Sequence, residues 1–303
     1  MISNFAGKTA VLIGAGSGFG LEAARLGAKL GMNLVICDVQ QDALDKAVAE
    51  LEATGAKVQA HRVDIAKAEQ VEAMAKATYA QFGAPHFVFN NAGVGAGGLI
   101  WEHSLKDWEW VVGVNIMGVA HGVRCFTPMM LDAARADTGY QGHITNTASM
   151  AGLLNAPNMG VYSVTKHAVV SLSETLYQDL SLVTDQIGAS VLCPYFVPTG
   201  ISESHRNRPT EFKDSGVKAT KSQMVAHAMG QKAVSSGKVT AAQVAQWVFD
   251  AVRENRFYVF SHPNALKMVQ TRMEDVVMVR NPTDPFVDRP DLGDALRAQL
   301  RAE

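Results

Sequence analysis

Tyr162 and Lys166 stand four residues apart in Tyr162-Ser163-Val164-Thr165-Lys166, a spacing that sets a phenol and an ammonium on one face of a helix. A neighbouring cation favours phenolate. A phenol brought about three units below its ordinary value near 10 can exchange a proton at neutral pH. Such a pair is common on solvated helices and means little alone. Here Ser149 precedes Tyr162 by 13 residues, at the end of an apolar run that reads as a strand. Asn115 lies in Val114-Asn115-Ile116, inside an apolar helical pattern where a carboxamide needs a hydrogen-bonding task. Together these four side chains could hold and move a proton beside a small polar substrate.

A second constellation lies upstream. Gly14-Ala15-Gly16-Ser17-Gly18-Phe19-Gly20 follows an apolar run and opens a helical pattern. The spacing G-x-G-x-x-G fails, because Phe19 stands in the third glycine's place. Gly14, Gly18 and Gly20 fit G-x-x-x-G-x-G instead. Either spacing lets backbone N–H groups approach a pyrophosphate at a helix N-terminus, and either also serves tight strand–helix packing. Asp38 ends the next apolar run, 18 residues beyond Gly20. Its carboxylate could accept both adenosine ribose hydroxyls and would repel a 2′-phosphate, and neither Ser17 nor Val39 offers a cation to offset that. The pattern points to NAD over NADP, although a strand-end aspartate can also be merely solvated. Asp64, in Val63-Asp64-Ile65, has two readings: a partner for the adenine amine, or a helix cap.

The elements that must position these residues alternate regularly. Strands are expected at residues 9–13, 33–37, 58–63, 87–89, 142–147, 189–193 and 257–260. Helices are expected at 19–30, 41–53, 69–82, 106–131, 161–182 and 240–254. Strands alternating with helices of this length imply βαβ units and a parallel sheet. Continuous runs such as Val11-Leu12-Ile13 and Leu34-Val35-Ile36 suit strands covered on both faces. The expected fold class is α/β: one doubly wound Rossmann-type domain over residues 1–261, with a parallel sheet of about seven strands. Residues 195–239 read as a substrate lid with short helices. Residues 262–303 read as a C-terminal extension broken by Pro282, Pro285 and Pro290.

Composition narrows the function. The 303 residues carry 27 basic and 29 acidic side chains, so the net charge of −2 gives no case for nucleic acid or an anionic membrane. Charged residues are 18% of the chain, below the roughly 25% of an ordinary domain, which suggests surface hidden between subunits. The uncharged stretch at residues 138–165 is too polar to span a bilayer. Residues 1–20 do not read as a signal peptide, so a cytoplasmic protein is expected. Cys37, Cys125 and Cys193 form no disulfide framework, with two of them in strand-like runs. The nine histidines form no ligand pair, so no metal is expected.

In order and spacing, Gly14-x3-Gly18-x-Gly20, Asn90-Asn91-Ala92-Gly93, Asn115, Ser149 and Tyr162-x3-Lys166 resemble a classical short-chain dehydrogenase/reductase over about residues 5–260. Longer bacterial members with a C-terminal extension, which oxidise secondary alcohols, are similar. The resemblance implies that Tyr162 is the general base in oxidation and the acid in reduction, while Ser149 holds the substrate oxygen. Lys166 would bind the nicotinamide ribose and, with the positive nicotinamide ring, lower the phenol's pKa, and Asn115 would anchor a water beside Lys166. Cofactor contacts are implied at Gly14, Ser17, Gly18, Phe19 and Gly20, and at Asp38, Asp64 and Ile65. Further contacts are implied at Asn91, Ala92 and Gly93, at Tyr162 and Lys166, and at Val197 and Thr199, with Thr199 at the carboxamide. A homodimer or homotetramer is implied too.

The chain departs from the family pattern at three places. Ile13 stands where threonine usually precedes the first glycine, and Ala148 where a second serine is frequent. In Pro194-Tyr195-Phe196-Val197-Pro198-Thr199, Tyr195 replaces a glycine. Tyr195 has three placements open to it: narrowing the nicotinamide end, stacking on a substrate ring, or pointing outward. Trp101 is expected to reach substrate, with Trp108 and Trp110 in the core. Phe212, Met224 and Met229 are the apolar lid candidates for a hydrophobic or aromatic alcohol or its ketone. The alternatives are a cofactor-binding sensor without turnover, which would lose Tyr162 or Lys166, and a lyase or dehalogenase, which would lose the glycine loop.

Overall fold

Strands β1 (Thr9–Ile13), β4 (Phe87–Asn90) and β5 (Gly142–Thr147) are buried at every residue, as strands covered on both faces must be. The computed structural model describes residues 2–213 and 218–301. In it, β2 (Asn33–Asp38), β3 (Val58–Arg62), β6 (Ile187–Cys193) and β7 (Tyr258–Phe260) complete one seven-stranded parallel sheet, ordered β3-β2-β1-β4-β5-β6-β7. Alternate strand residues feed two cores. On one face, Leu12, Leu34 and Leu192 pack with Ala23 of α1 (Gly18–Lys29), Leu44 of α2 (Gln41–Glu52) and Phe249 of α8 (Ala241–Glu254). On the other, Val11, Val35, Val88 and Ile144 meet Met74 of α3 (Ala68–Phe82), Phe126 of α5 (Gly118–Ala136) and Leu176 of α6 (Gly160–Val183).

The strand order reverses between β1 and β4. From β1 the chain builds outward through β2 and β3, then returns to start β4 on the other side. Loops leaving the carboxyl ends of β1 and β4 therefore diverge and leave a cleft, which is where ligands enter open α/β sheets.

Three expectations need correction. The single helix at 106–131 is instead α4 (Leu105–Val112), a π-helical turn at Gly113–Met117, and α5. The Gly118 N–H reaches back to the Gly113 carbonyl, and a Cβ at Gly118 would lie 2.3 Å from Ile65. Apolar periodicity does not register one extra residue in a turn. Next, the 195–239 insertion holds a full helix, α7 (Lys221–Ser235), besides 3₁₀ turns at Gly200–Asn207 and Thr210–Phe212. Thr220 and Gln223 cap α7 reciprocally. Finally, the prolines of the C-terminal extension delimit two helices, α9 (Leu266–Val277) and α10 (Pro290–Arg301). Pro290 is the first residue of α10, where its missing N–H costs nothing. Gly293 and Leu296 are buried on α10, which packs against α7. Among the described residues no helix is long and apolar enough to cross a membrane.

Candidate active site

The glycine loop is held by backbone geometry. Gly14 has φ +82°, and a Cβ there would lie 2.7 Å from Ala92 Cα. Gly20 packs the helix on its own strand, since a Cβ would come within 2.1 Å of the Gly14 carbonyl oxygen. It therefore shapes the loop without lining the cleft, unlike Gly14, Ser17, Gly18 and Phe19. Sequence spacing passed over Gly16. Its N–H donates to Asp38 Oδ2 at 2.9 Å, and a Cβ would lie 2.7 Å from that oxygen. Gln40 N–H donates to Asp38 Oδ1 at 3.0 Å. Asp38 is thus fixed at the rim with lone pairs to spare.

Asp64, Ile65, Ala92, Gly93, Val197 and Thr199 also line the cleft. The helix-cap reading of Asp64 fails. Its Oδ1 accepts from Ala66 N–H at 3.0 Å within a turn, whereas the residue preceding α3 is Lys67. Asn91 lines the cleft and ties its walls together. Its Nδ2 donates to the Gly14 carbonyl at 3.3 Å, and its Oδ1 accepts from Thr147 Oγ1 at 3.2 Å. Asn90, beside it, donates instead to Asn146 at 2.8 Å inside the core, and Asn146 donates to Ser173 at 3.0 Å.

At the far end, Ser149, Tyr162 and Lys166 share the same cleft. Ser149 leaves β5, and its Oγ accepts from Ala151 N–H at 3.1 Å. Lys166 is 3% exposed. Its Nζ donates to the Thr147 carbonyl at 2.9 Å and sits 5.7 Å from the centre of the Tyr162 ring. Burial brings the Lys166 ammonium down to about 8. Burial pushes the Tyr162 phenol up, and the Ser149 hydroxyl offsets only part of this. The lowering expected from Lys166 together with the positive nicotinamide ring therefore has this burial to overcome.

Asn115 sits in the π turn, fully buried, and does not line the cleft. Its Oδ1 accepts from Val94 N–H at 2.8 Å, and its Nδ2 donates to the Val94 carbonyl and to Thr165 Oγ1, both at 3.0 Å. The carboxamide thus clamps the loop after β4 to α6, one residue from Lys166. A Cβ on Gly93 would be 3.3 Å from both Asn115 Oδ1 and Lys166 Nζ, so glycine leaves the cleft open there.

The aromatic assignments change. Trp101 is 76% exposed and away from the cleft, whereas Trp110 is buried and lines it. Arg208 lies over the Trp110 ring at 5.2 Å and pairs with Asp107. Phe212 lines the cleft as expected, but Met224 and Met229 face solvent. Tyr195 lines it as well while remaining exposed, with His262 5.8 Å away across the ring centres.

This combination of fold and site has counterparts. A family model described as short chain dehydrogenase matches residues 8–210. The chain belongs to that family. A short-chain dehydrogenase/reductase from Burkholderia phymatum, solved in complex with NAD, is 51% identical over 93% of this chain and 98% of its own, with a TM-score of 0.90. A CLA biosynthesis dehydrogenase/reductase of Lactiplantibacillus plantarum is 31% identical over 91% of this chain and 95% of its own. A C alpha-dehydrogenase of Sphingobium sp. strain SYK-6 is 30% identical over 91% and 87%. The chain is an oxidoreductase of the short-chain dehydrogenase family with a nicotinamide-nucleotide cleft.

Proposed function

We propose that this protein interconverts a hydrophobic or aromatic secondary alcohol and its ketone, or an alcohol and its aldehyde, with NAD(H), using Tyr162 as acid and base. The observation that carries this reading is one cleft with Asp38 at its outer rim and Ser149, Tyr162 and Lys166 at its inner end. Beyond them the wall is apolar, built from Val94, Trp110, Tyr195, Ile201 and Phe212. Those side chains suit an aryl or alkyl group better than a sugar or a phosphate ester.

The residues fit a dinucleotide. Asp38 would accept the adenosine ribose hydroxyls, Gly14 and Gly18 would admit the diphosphate, and Asn91 to Gly93 with Val197 and Thr199 would border the nicotinamide. When bound, the nicotinamide supplies the hydride acceptor. Ser149 would hold the substrate oxygen against Tyr162, and Tyr162 would take the hydroxyl proton as the carbon becomes a carbonyl. Lys166 would steady the phenolate and hold the ribose, and Asn115 keeps the helix carrying both in register. The preference for NAD rests on Asp38, whose charge opposes a 2′-phosphate.

We also propose residues 195–239 as a substrate lid braced by the 262–303 extension, and a homodimer or homotetramer. Exposed Met117 and Val164 on the elements flanking the site suit a subunit contact. Three free thiols, Cys37, Cys125 and Cys193, agree with a cytoplasmic setting. Appearance of NADH absorbance across a panel of aryl and alkyl alcohols tests the reaction. Tyr162→Phe should abolish turnover while NADH still binds. Turnover retained in that variant would overturn the assignment, and light scattering decides the oligomer.

A further inference from the structure

Among the residues lining the cleft, Lys166 and Arg206 carry the positive side chains. Lys166 is committed to the inner end. Arg206 belongs to the lid, in the 3₁₀ turn Gly200–Asn207, and is exposed. Its Nη1 donates to the carbonyl oxygens of Gly200 at 2.9 Å and Glu203 at 3.1 Å. A Cβ on Gly200 would lie 2.9 Å from Nη2, so the guanidinium rests flat against that glycine. Among the described residues no carboxylate pairs with it. Glu203 instead faces Gln231 at 3.4 Å and His205 at 3.7 Å.

The turn is itself anchored. Ser204 is 4% exposed, accepts from Gly95 N–H at 2.9 Å and donates to the Ile201 carbonyl at 2.5 Å. Thr199, next to Gly200, approaches the start of α1: its methyl would sit 3.5 Å from a Cβ on Gly18. The lid therefore presents an unneutralised, pre-oriented cation on the wall of the cleft that Asp38, the glycine loop and Lys166 also line. A dinucleotide spanning that cleft from Asp38 to Lys166 carries its two negative charges between its two ends, over the glycine loop.

We propose that Arg206 is the cation for the dinucleotide's diphosphate, so that binding the cofactor also fastens the lid. This rests on the dinucleotide reading above. An arginine suits the task because its planar fork can give two donors to phosphate oxygens while Nη1 keeps its hold on the turn.

The test uses the full-length protein and NADH titrated by fluorescence. Arg206→Gln should weaken NADH by roughly tenfold and flatten the salt dependence of its dissociation constant. Arg206→Lys should recover much of the affinity, and competition by adenosine, which lacks phosphates, should be unchanged. Hydrogen exchange supplies a second readout. NADH should slow exchange across residues 200–213 and 218–235 in the wild type, and much less in Arg206→Gln. Unaltered NADH affinity in Arg206→Gln would overturn the proposal. So would an effect confined to the KM of anionic substrates, which would place the guanidinium on the substrate. A wild-type protein that binds neither NADH nor NADPH would instead remove the dinucleotide reading, and the proposal with it.

Discussion

Lys166 on α6 donates to the carbonyl of Thr147, the last residue of β5, at 2.9 Å. One bond thus joins the catalytic helix to the end of the sheet, and it holds an ammonium that burial has made a poor place for charge. The gap between 10.5 and about 8 corresponds to about 3 kcal/mol. Its sign follows from which state holds the proton. Between about pH 8 and 10.5 the unfolded chain keeps the Lys166 proton while the folded chain releases it, so folded stability rises with pH there. Below pH 8 the penalty is present in full.

The nucleotide-free wild type should therefore gain on Lys166→Met as pH is raised through that window. Urea unfolding of both proteins at pH 7 and pH 9.5 measures the difference, and titrations elsewhere in the chain cancel. A stability difference independent of pH would show that Lys166 is not the group responsible. Turnover should be lost in Lys166→Met at every pH.

The raised phenol of Tyr162 gives a rate prediction of definite direction. A base that burial holds protonated needs alkaline solution or a positive ring beside it, so alcohol oxidation should climb with pH and ketone reduction should fall. The limb belongs to the coupled pair Tyr162 and Lys166 rather than to either group. Replacing Lys166 with arginine, which stays charged, should move the limb. Profiles of kcat/KM in both directions check this, and a flat oxidation profile from pH 6 to 10 would contradict it.

Asn115 makes three buried hydrogen bonds through one carboxamide. Asn115→Ala would strand the Val94 N–H and carbonyl and cost the Thr165 hydroxyl one of its two partners, leaving its bond to the Tyr162 carbonyl. The expected cost is about 2–4 kcal/mol, from groups left unpaired away from water. Because the clamp joins the loop after β4 to α6, kcat should also fall, by about tenfold or more. Thermal unfolding and steady-state kinetics on the same preparation test both. A variant that is destabilised yet fully active would make Asn115 purely structural.

How much of this was legible in the sequence depends on the kind of signal. The five inner strands and the residues at their ends follow from apolar runs, because burial on both faces leaves a mark along the strand, whereas the half-exposed edge strands β3 and β7 follow from the alternation with helices. Tyr162, Lys166, Ser149 and Asp38 were visible because their chemistry is unusual where it stands. Gly16 was not: its need for glycine arises from Asp38, 22 residues away, and only the fold brings them together. The π turn escaped for a similar reason, since an added residue per turn alters backbone bonds and leaves composition intact. Trp101 was misplaced because the loop after β4 carries no periodicity to say which way its ring faces, while Trp110 on α4 is buried as expected and in addition lines the cleft.

Asp38 offers the most direct test of cofactor choice, and the fold adds a neighbour that spacing did not reveal. Asp38 on β2 is paired in register with Arg62 on β3, whose Nε donates to the Val39 carbonyl at 3.3 Å. On the proposed reading, the carboxylate favours ribose hydroxyls at the rim and opposes a 2′-phosphate. With it removed, Arg62 is the nearest strand partner and carries the opposite charge. Asp38→Ser should thus lower kcat/KM with NAD and raise it with NADP. Removing one charge near a phosphate in partly solvated surroundings is worth about 1–3 kcal/mol, so the NADP-to-NAD ratio should rise by roughly 5- to 150-fold. Adding Arg62→Ala to that variant should cancel most of the NADP gain. If the ratio stays where it was in the single variant, Arg62 is not the source of the gain; if Asp38→Ser leaves the wild-type ratio unchanged, Asp38 does not set the preference.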